Sequence, residues 1–260
     1  MKRVKKDVVV FAALAALVIG ALSLRTKGVY FIMITLALLP DTHDIPLHAI
    51  AQWRSELSAA DQGRTTLMAG TPRQTEFVVA RKLLKSLAQK RLDISAEVVS
   101  AAGAAPRLLT LDGGSIACSI AHSKNTILVA INTVGSIGVD VEHHQPRSIA
   151  KVVQRYFWPE GKSYFANCTE AASRAWFYRQ WCIREALVKH QGDGNLFQLL
   201  GKPLTLPLGT LGQISQSHTI TMGVISSGAS QPELLCSTLN RDLQWEFAPL
   251  NTEMGLSALT

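Results

Sequence analysis

No two of the four cysteines, Cys118, Cys168, Cys182 and Cys236, form a CxxC pair, and none stands at metal-ligand spacing from a histidine. That excludes a thiolate-built metal site and leaves reduced, partly buried thiols of a cytosolic chain as the expectation. Glycine occurs without a collagen period, apolar residues occur without a sustained heptad, and no close internal repeat is visible. Fibrous and coiled-coil architectures are therefore excluded. Charged residues are scarce, 17% of 260, against 47% hydrophobic; a chain this apolar buries a core and is not disordered. The seven histidines are scattered apart from His143-His144. That pair lacks the i, i+4 spacing of a helical zinc site and reads as a loop feature.

Lys and Arg outnumber Asp and Glu 26 to 19, a net charge of +7, which at first suggests a nucleic-acid or membrane partner. The excess is local. Residues 1–27 hold Lys2, Arg3, Lys5, Lys6, Arg25 and Lys27 against Asp7, a net +5, leaving 20 basic and 18 acidic residues elsewhere, a net +2. No nucleic-acid partner is expected of so balanced a body. The leader also carries an unbroken apolar run of 17 residues, Val8 to Leu24. It falls short of the roughly 20 residues of a membrane span and exceeds the roughly 7–15 of a signal-peptide core, although Ala21-Leu22-Ser23 would pass as a cleavage site. Cations are denser before the run than after it, so as a span it would leave the N-terminus in the cytoplasm. A third reading starts the native product at Met33, which opens a strand-like segment ending at Pro40.

Past the leader, residues 47–58 and 72–90 have helical periodicity; Phe77, Ala80, Leu84 and Leu87 share a face. Residues 94–99, 116–120, 126–133 and 137–142 read as strands, with turns at 103–107, 112–114 and 124–125. Residues 148–157 and 170–190 read as helices, the second closed by Gly192, and short strands are expected at 218–225 and 233–239. The fold class is α+β in two similar-sized halves. Residues 1–32 are the leader, 33–133 an N-terminal subdomain, 134–250 a C-terminal subdomain and 251–260 a tail.

Three segments carry chemistry. In Gly138-Val139-Asp140-Val141-Glu142, strand alternation puts both carboxylates on one face, about 6–7 Å apart at Cα, with the valines facing a core. Two such carboxylates repel unless a cation compensates, and a hard divalent ion with oxygen ligands would do so; the plain alternative is a solvated strand end. In Trp181-Cys182-Ile183-Arg184-Glu185-Ala186-Leu187-Val188-Lys189, Glu185 and Lys189 lie one helical turn apart. Alone they are equally an ordinary surface ion pair. Trp176, Ile183 and Leu187 fall on another stripe, expected in the core. Ser119-Ile120-Ala121-His122-Ser123 delivers a histidine at a strand end, either structural or a donor to a phosphate.

In this order the three segments resemble the two-domain phosphopantetheinyl transferases, the type that activates surfactin synthetase. Glu142 and Glu185 stand 43 residues apart, and Phe157-Trp158-Pro159-Glu160 between them is similar to a short family segment. The resemblance spans about residues 34–245 and is densest over 116–194. It implies two similar α/β subdomains related by pseudo-two-fold symmetry, with the active site at their interface. It also implies a holo-[acyl-carrier-protein] synthase type of activity. The 4′-phosphopantetheine arm of coenzyme A moves to a serine of an apo carrier protein, releasing adenosine 3′,5′-bisphosphate. By the same resemblance Asp140, Glu142 and Glu185 surround Mg²⁺. Glu185 is the candidate base, Lys189 steadies phosphoryl charge, and His122 and Ser123 contact coenzyme A. Arg64, Arg73 and Arg81 are the candidates for its other phosphates.

The chain departs from the family pattern at Ala121, where serine is usual, at Arg184, where lysine is usual, and at Glu76, where many members have arginine. Gly103-Ala104-Ala105-Pro106 lacks the lysine of the family's Gly-Lys-Pro turn, and Gly201-Lys202-Pro203 reads as unrelated. Those departures keep a second reading open, a degenerate member that binds coenzyme A or carrier protein without catalysis; a metal-dependent phosphoesterase built on Asp140 and Glu142 is a third. Residues 64–91 hold Arg64, Arg73, Arg81, Lys82, Lys85, Lys90 and Arg91 against Glu76, either a solvated face or a basic surface for phosphates and an acidic carrier protein. Carrier proteins of fatty-acid, polyketide and non-ribosomal-peptide synthesis all fit. Cytoplasmic substrates imply a cytoplasmic monomer beginning at Met33, with a membrane location only if the leader acts as a tether.

Overall fold

The computed structural model describes residues 34–260 apart from 44, 101–104, 146–147, 229–231, 251–256 and 260. The leader, the Met33 start, most of the tail and part of the 103–107 turn lie outside the described residues. The chain runs β1 (Ile34–Leu39), α1 (Leu47–Ser55), α2 (Ala59–Leu67), α3 (Pro72–Leu92), β2 (Ala96–Val99), β3 (Arg107–Thr110), β4 (Ser115–Ser123), β5 (Thr126–Asn132) and β6 (Ile137–His143). It continues through α4 (Ile149–Tyr156), α5 (Pro159–Asn167), α6 (Glu170–Gln191), α7 (Leu196–Leu200), β7 (Thr210–Gln216), β8 (Ile220–Ser227), β9 (Glu233–Leu239), β10 (Trp245–Pro249) and β11 (Ser257–Ala258). Among these elements no helix is long and apolar enough to cross a membrane.

The mixed α and β architecture follows from which strands are apolar on both faces. β1 and β5 read ITLALL and TILVAIN and are buried throughout, as strands at the centre of a covered sheet must be. Their alternation feeds two cores. Ala37, Leu39, Ile127, Val129 and Ile131 pack under α1 and α3, while Leu36, Leu38, Leu128 and Ala130 meet Val139, Val141, Met222 and Val224. The second core lies between two sheets, a seven-stranded one ordered β10-β9-β1-β5-β4-β3-β2 and a four-stranded one ordered β11-β7-β8-β6. On the far face of the smaller sheet, Ile183, Ala186 and Leu187 of α6 cover Ile225. The layers are helix, sheet, sheet, helix.

The expected boundary at 133/134 does not separate the sheets cleanly. β9 and β10 leave the C-terminal half and complete the first sheet, β9 lying parallel to β1 with Leu36 opposite Leu234. Ser237 Oγ donates to Leu38 O at 2.9 Å across that pairing. β1 has a free edge once β5 occupies the other, and a buried edge needs a hydrogen-bonding partner. Three helices absent from the expected set also form: α2, capped by Ser58 accepting from Asp61 N at 3.3 Å, α5, begun by Pro159, and the short α7, capped by Asn195 accepting from Phe197 N at 3.0 Å.

Candidate functional site

Among the described residues β6 is the edge of the smaller sheet, paired with β8. Its outer backbone donors are met by hydroxyls from β4. Ser119 Oγ accepts from Val139 N at 3.1 Å, and Ser123 Oγ accepts from His143 N at 3.0 Å. Ser123 Oγ also donates to Glu142 Oε2 at 3.1 Å. The two sheets are thus joined by serine side chains at the strand that carries the paired carboxylates. Ser123, expected to touch coenzyme A, holds Glu142.

Alternation along β6 turns Val139 and Val141 into the inter-sheet core and Gly138, Asp140 and Glu142 toward α6, as the sequence pattern required. α6 lies against the strand closely. A Cβ on Gly138 would fall 1.9 Å from Ala186 O, and one on Gly223, directly opposite Asp140, would fall 2.8 Å from Cys182 O. The two glycines let the helix backbone settle onto the sheet. Gly138 belongs to the motif, but its role was not drawn from the sequence; its small size beside a charged pair was the available signal. Thr169 and Gly192 cap α6, the latter at φ +83°.

Across this contact Lys189 Nζ donates to Asp140 Oδ1 at 2.8 Å. The alternative of an exposed i, i+4 pair with Glu185 is thereby set aside, since Lys189 reaches inward to the strand. Asp140 is buried, and its Oδ2 has no partner among the described residues. Burial raises its carboxyl to about 6; Glu185 and Glu142 add to the rise and Lys189 opposes it. Burial also raises Glu185, again with Glu142 adding and Lys189 opposing. Cys182 sits beneath them, its thiol pushed well up by burial and by both strand carboxylates. Three carboxylates feel one another here, with one lysine to offset them.

Among the described residues no group of three or more His, Cys, Asp or Glu side chains is assembled closely enough to be a ready-made metal site. Lys189 takes the place on Asp140 that a cation would take. In donor type and charge Asp140, Glu142 and Glu185 nonetheless fit a hard divalent ion: all offer oxygen, one oxygen is buried without a partner among the described residues, and two carboxyls are raised partly by mutual repulsion.

His122 lies at the end of β4 with Nδ1 3.3 Å from Glu76 Oε2 of α3. Burial lowers its pKa; Arg73 and Lys189 act the same way, while Glu76 and Glu142 oppose. Arg64, Arg73, Glu76, Phe77, Arg81 and His122 line a cavity of about 220 Å³. The candidate arginines differ in availability. Arg81 is buried, its Nε donating to Asp61 at 2.5 Å and its guanidinium stacked on Phe77 at 3.3 Å. Arg64 donates to Ser100 Oγ at 2.6 Å. Arg73 has no hydrogen bond or ion pair among the described residues. The wider basic surface is largely neutralised: Lys82 pairs with Glu56, Lys85 with Glu97 and Arg91 with Glu233. Acids on the elements beside α3 meet its cations, which a count along one segment does not reveal.

Other expectations resolve structurally. Ile183 and Leu187 are core and Trp176 packs in the aromatic cluster beside it; all four cysteines are free. His143 ends β6 and bonds Thr126 Oγ1 at 2.8 Å, and His144 stacks on Tyr178 at 4.3 Å, so the pair is a packed strand end and not an open loop. Arg184 is fully buried, donating to Leu199 O and Lys202 O at 2.9 Å each. It anchors the loop holding Gly201-Lys202-Pro203.

The family model of the 4′-phosphopantetheinyl transferase superfamily matches residues 136–237, the segment that holds β6, α6 and the facing strands. The 4′-phosphopantetheinyl transferase HetI of Nostoc sp. is 31% identical over 77 residues, 29% of this chain and 32% of its own. A Synechocystis sp. protein provisionally named as such a transferase is 26% identical over 155 residues, 58% of this chain and 62% of its own. The 4′-phosphopantetheinyl transferase AcpT of Salmonella typhimurium is 26% identical over 113 residues, 43% of this chain and 58% of its own. The aligned part of the chain thus spans from a third to three fifths of the length of these relatives. The carboxylate strand and its facing helix both lie inside the segment, residues 136–237, that is similar to the 4′-phosphopantetheinyl transferase superfamily.

Proposed function

We propose that the protein moves the 4′-phosphopantetheine arm of coenzyme A to a serine of an apo carrier protein, with Mg²⁺ held by Asp140, Glu142 and Glu185. The observation that carries the reading is Asp140: a buried carboxylate with one oxygen on Lys189 and the other without a partner among the described residues, beside two further carboxylates. Mg²⁺, when bound, supplies neutralisation of the three carboxylates and of the pyrophosphate under attack.

The chain's own residues do the rest. Ser123 fixes Glu142 on the strand. Lys189, released from Asp140, turns its ammonium to the phosphoryl oxygens and steadies the charge that grows on them. The carboxyl of Glu185, raised by burial, is a better proton acceptor than an ordinary glutamate and takes the serine proton, directly or through a water. His122 and Arg73 face the nucleotide-side phosphates from the neighbouring cavity. The site then lies along the β6 edge of the smaller sheet, with His122 and Ser123 reaching it from β4 and Lys189 from α6. The halves act as related subdomains within one monomer, working in the cytoplasm where coenzyme A and carrier proteins are.

Incubation with coenzyme A, Mg²⁺ and a panel of apo carrier proteins tests the reading. Expected is a mass gain of one phosphopantetheine on a carrier serine. Coenzyme A binding without transfer to any carrier would favour the degenerate reading, and hydrolysis of coenzyme A without an acceptor would favour a phosphoesterase.

A further inference from the structure

The cavity beside His122 contains one carboxylate among its cations. Of the three arginines in its wall, Arg81 is spent on Asp61 and Ser100, and Arg64 on Ser100. Glu76 stands in the same wall with its side chain only 14% exposed, and its Oε2 lies 3.3 Å from His122 Nδ1. A carboxylate turned inward in a pocket for phosphates would repel the ligand unless its charge were used by the protein. The histidine uses it. With Nδ1 facing Glu76, Nε2 is the remaining polar atom of the ring, and the ring itself lines the cavity with Arg73.

We propose that Glu76 is the positioning residue of His122: it draws Nδ1 toward α3, leaves Nε2 to the coenzyme A phosphate, and supplies the charge that keeps the ring cationic when the anion arrives. The proposal rests on the coenzyme A reading above. The charged groups facing His122 are Glu76 and Arg73 from α3, Glu142 from β6 and Lys189 from α6. Two favour the protonated ring and two oppose it, while burial opposes it further. Of the two carboxylates, Glu142 is tied to Ser123, and Glu76 has the ring as its ion-pair partner. An imidazolium donates to phosphate through Nε2–H; a neutral ring with its proton on Nδ1 does not.

Calorimetric titration of the full chain with coenzyme A separates this role from simple packing. Glu76→Gln keeps the shape and removes the charge. It is expected to weaken coenzyme A binding about tenfold and to move the loss of binding on raising pH to a lower pH, because the ring surrenders its proton sooner. Glu76→Asp restores the charge and is expected to recover the wild-type pH midpoint. In a His122→Ala background Glu76→Gln is expected to have no further effect. Wild-type binding and pH profile in Glu76→Gln, or an equal loss with and without His122, would overturn the proposal while leaving the coenzyme A reading intact. A wild-type chain that binds no coenzyme A would overturn both.

Discussion

Gly138→Ala tests how closely the two halves of the carboxylate site depend on one backbone contact. The added methyl would lie 1.9 Å from Ala186 O and 2.4 Å from His190 N. A carbon and a carbonyl oxygen rest at about 3.3 Å or more, so α6 must retreat by about 1.4 Å. Neither obstacle is a flexible side chain. Overpacking of this kind costs about 1–3 kcal/mol, readable as a lower urea midpoint with unchanged slope. The same retreat would stretch the 2.8 Å contact of Lys189 with Asp140 to about 4 Å, past hydrogen-bonding range. Misplacement by about 1 Å costs roughly 100-fold in a positioned reaction, so transfer should fall by about that factor while the chain stays folded. Gly223→Ala, whose methyl would meet Cys182 O at 2.8 Å, should show a smaller loss of the same kind. Gly63→Ala in α2, where an added methyl would meet nothing within 4 Å among the described residues, should gain about 0.5–1 kcal/mol. If Gly138→Ala matched the wild type in both stability and transfer, the close seating of α6 would not be what holds the site.

Three further outcomes follow from the geometry. Ser123→Ala removes the acceptor of His143 N and the donor to Glu142, so it should cost about 1–2 kcal/mol and weaken Mg²⁺ binding about 10–100-fold; unchanged Mg²⁺ affinity by calorimetry would contradict the assigned role. Arg184→Lys cannot reproduce the fork to Leu199 O and Lys202 O and should cost about 2–3 kcal/mol by urea unfolding, with coenzyme A binding retained. His190, whose Nε2 lies 2.8 Å from Ser136 Oγ and whose Nδ1 is buried without a partner among the described residues, has its pKa lowered by burial. Its contribution is present above the unfolded-state value of about 6.5 and is lost as pH falls below it, because the unfolded chain takes up the proton first. His190→Gln should therefore flatten the fall in stability on acidification from pH 7; an unaltered profile would show that other groups set it.

The carboxylate strand and its facing helix were legible because both follow local periods. Val139 and Val141 alternate with Asp140 and Glu142, and the apolar stripe of α6 fixes which side turns to the core. β1 and β5 were equally legible as mostly apolar runs. What the sequence did not convey is pairing at a distance. Nothing in Glu233–Leu239 says that its partner is β1 across nearly 200 residues, since a strand's own pattern specifies its faces and not its neighbour. The same limit applies to charge: Arg81 reads as a free cation until Asp61 is folded against it, and Lys189 reads as Glu185's partner until β6 is beneath it. Glu76 was visible as a departure, yet its meaning required His122 to be 3.3 Å away.

The central claim is that the acidic corner of Asp140, Glu142 and Glu185 takes a Mg²⁺ that Lys189 yields to. Calorimetric titration of Mg²⁺ into the full chain with coenzyme A present tests it most directly, comparing the wild type with Asp140→Asn. One Mg²⁺ per chain in the wild type, and none at the same concentrations in a folded Asp140→Asn, is the predicted result. Equal Mg²⁺ binding by the two would contradict it.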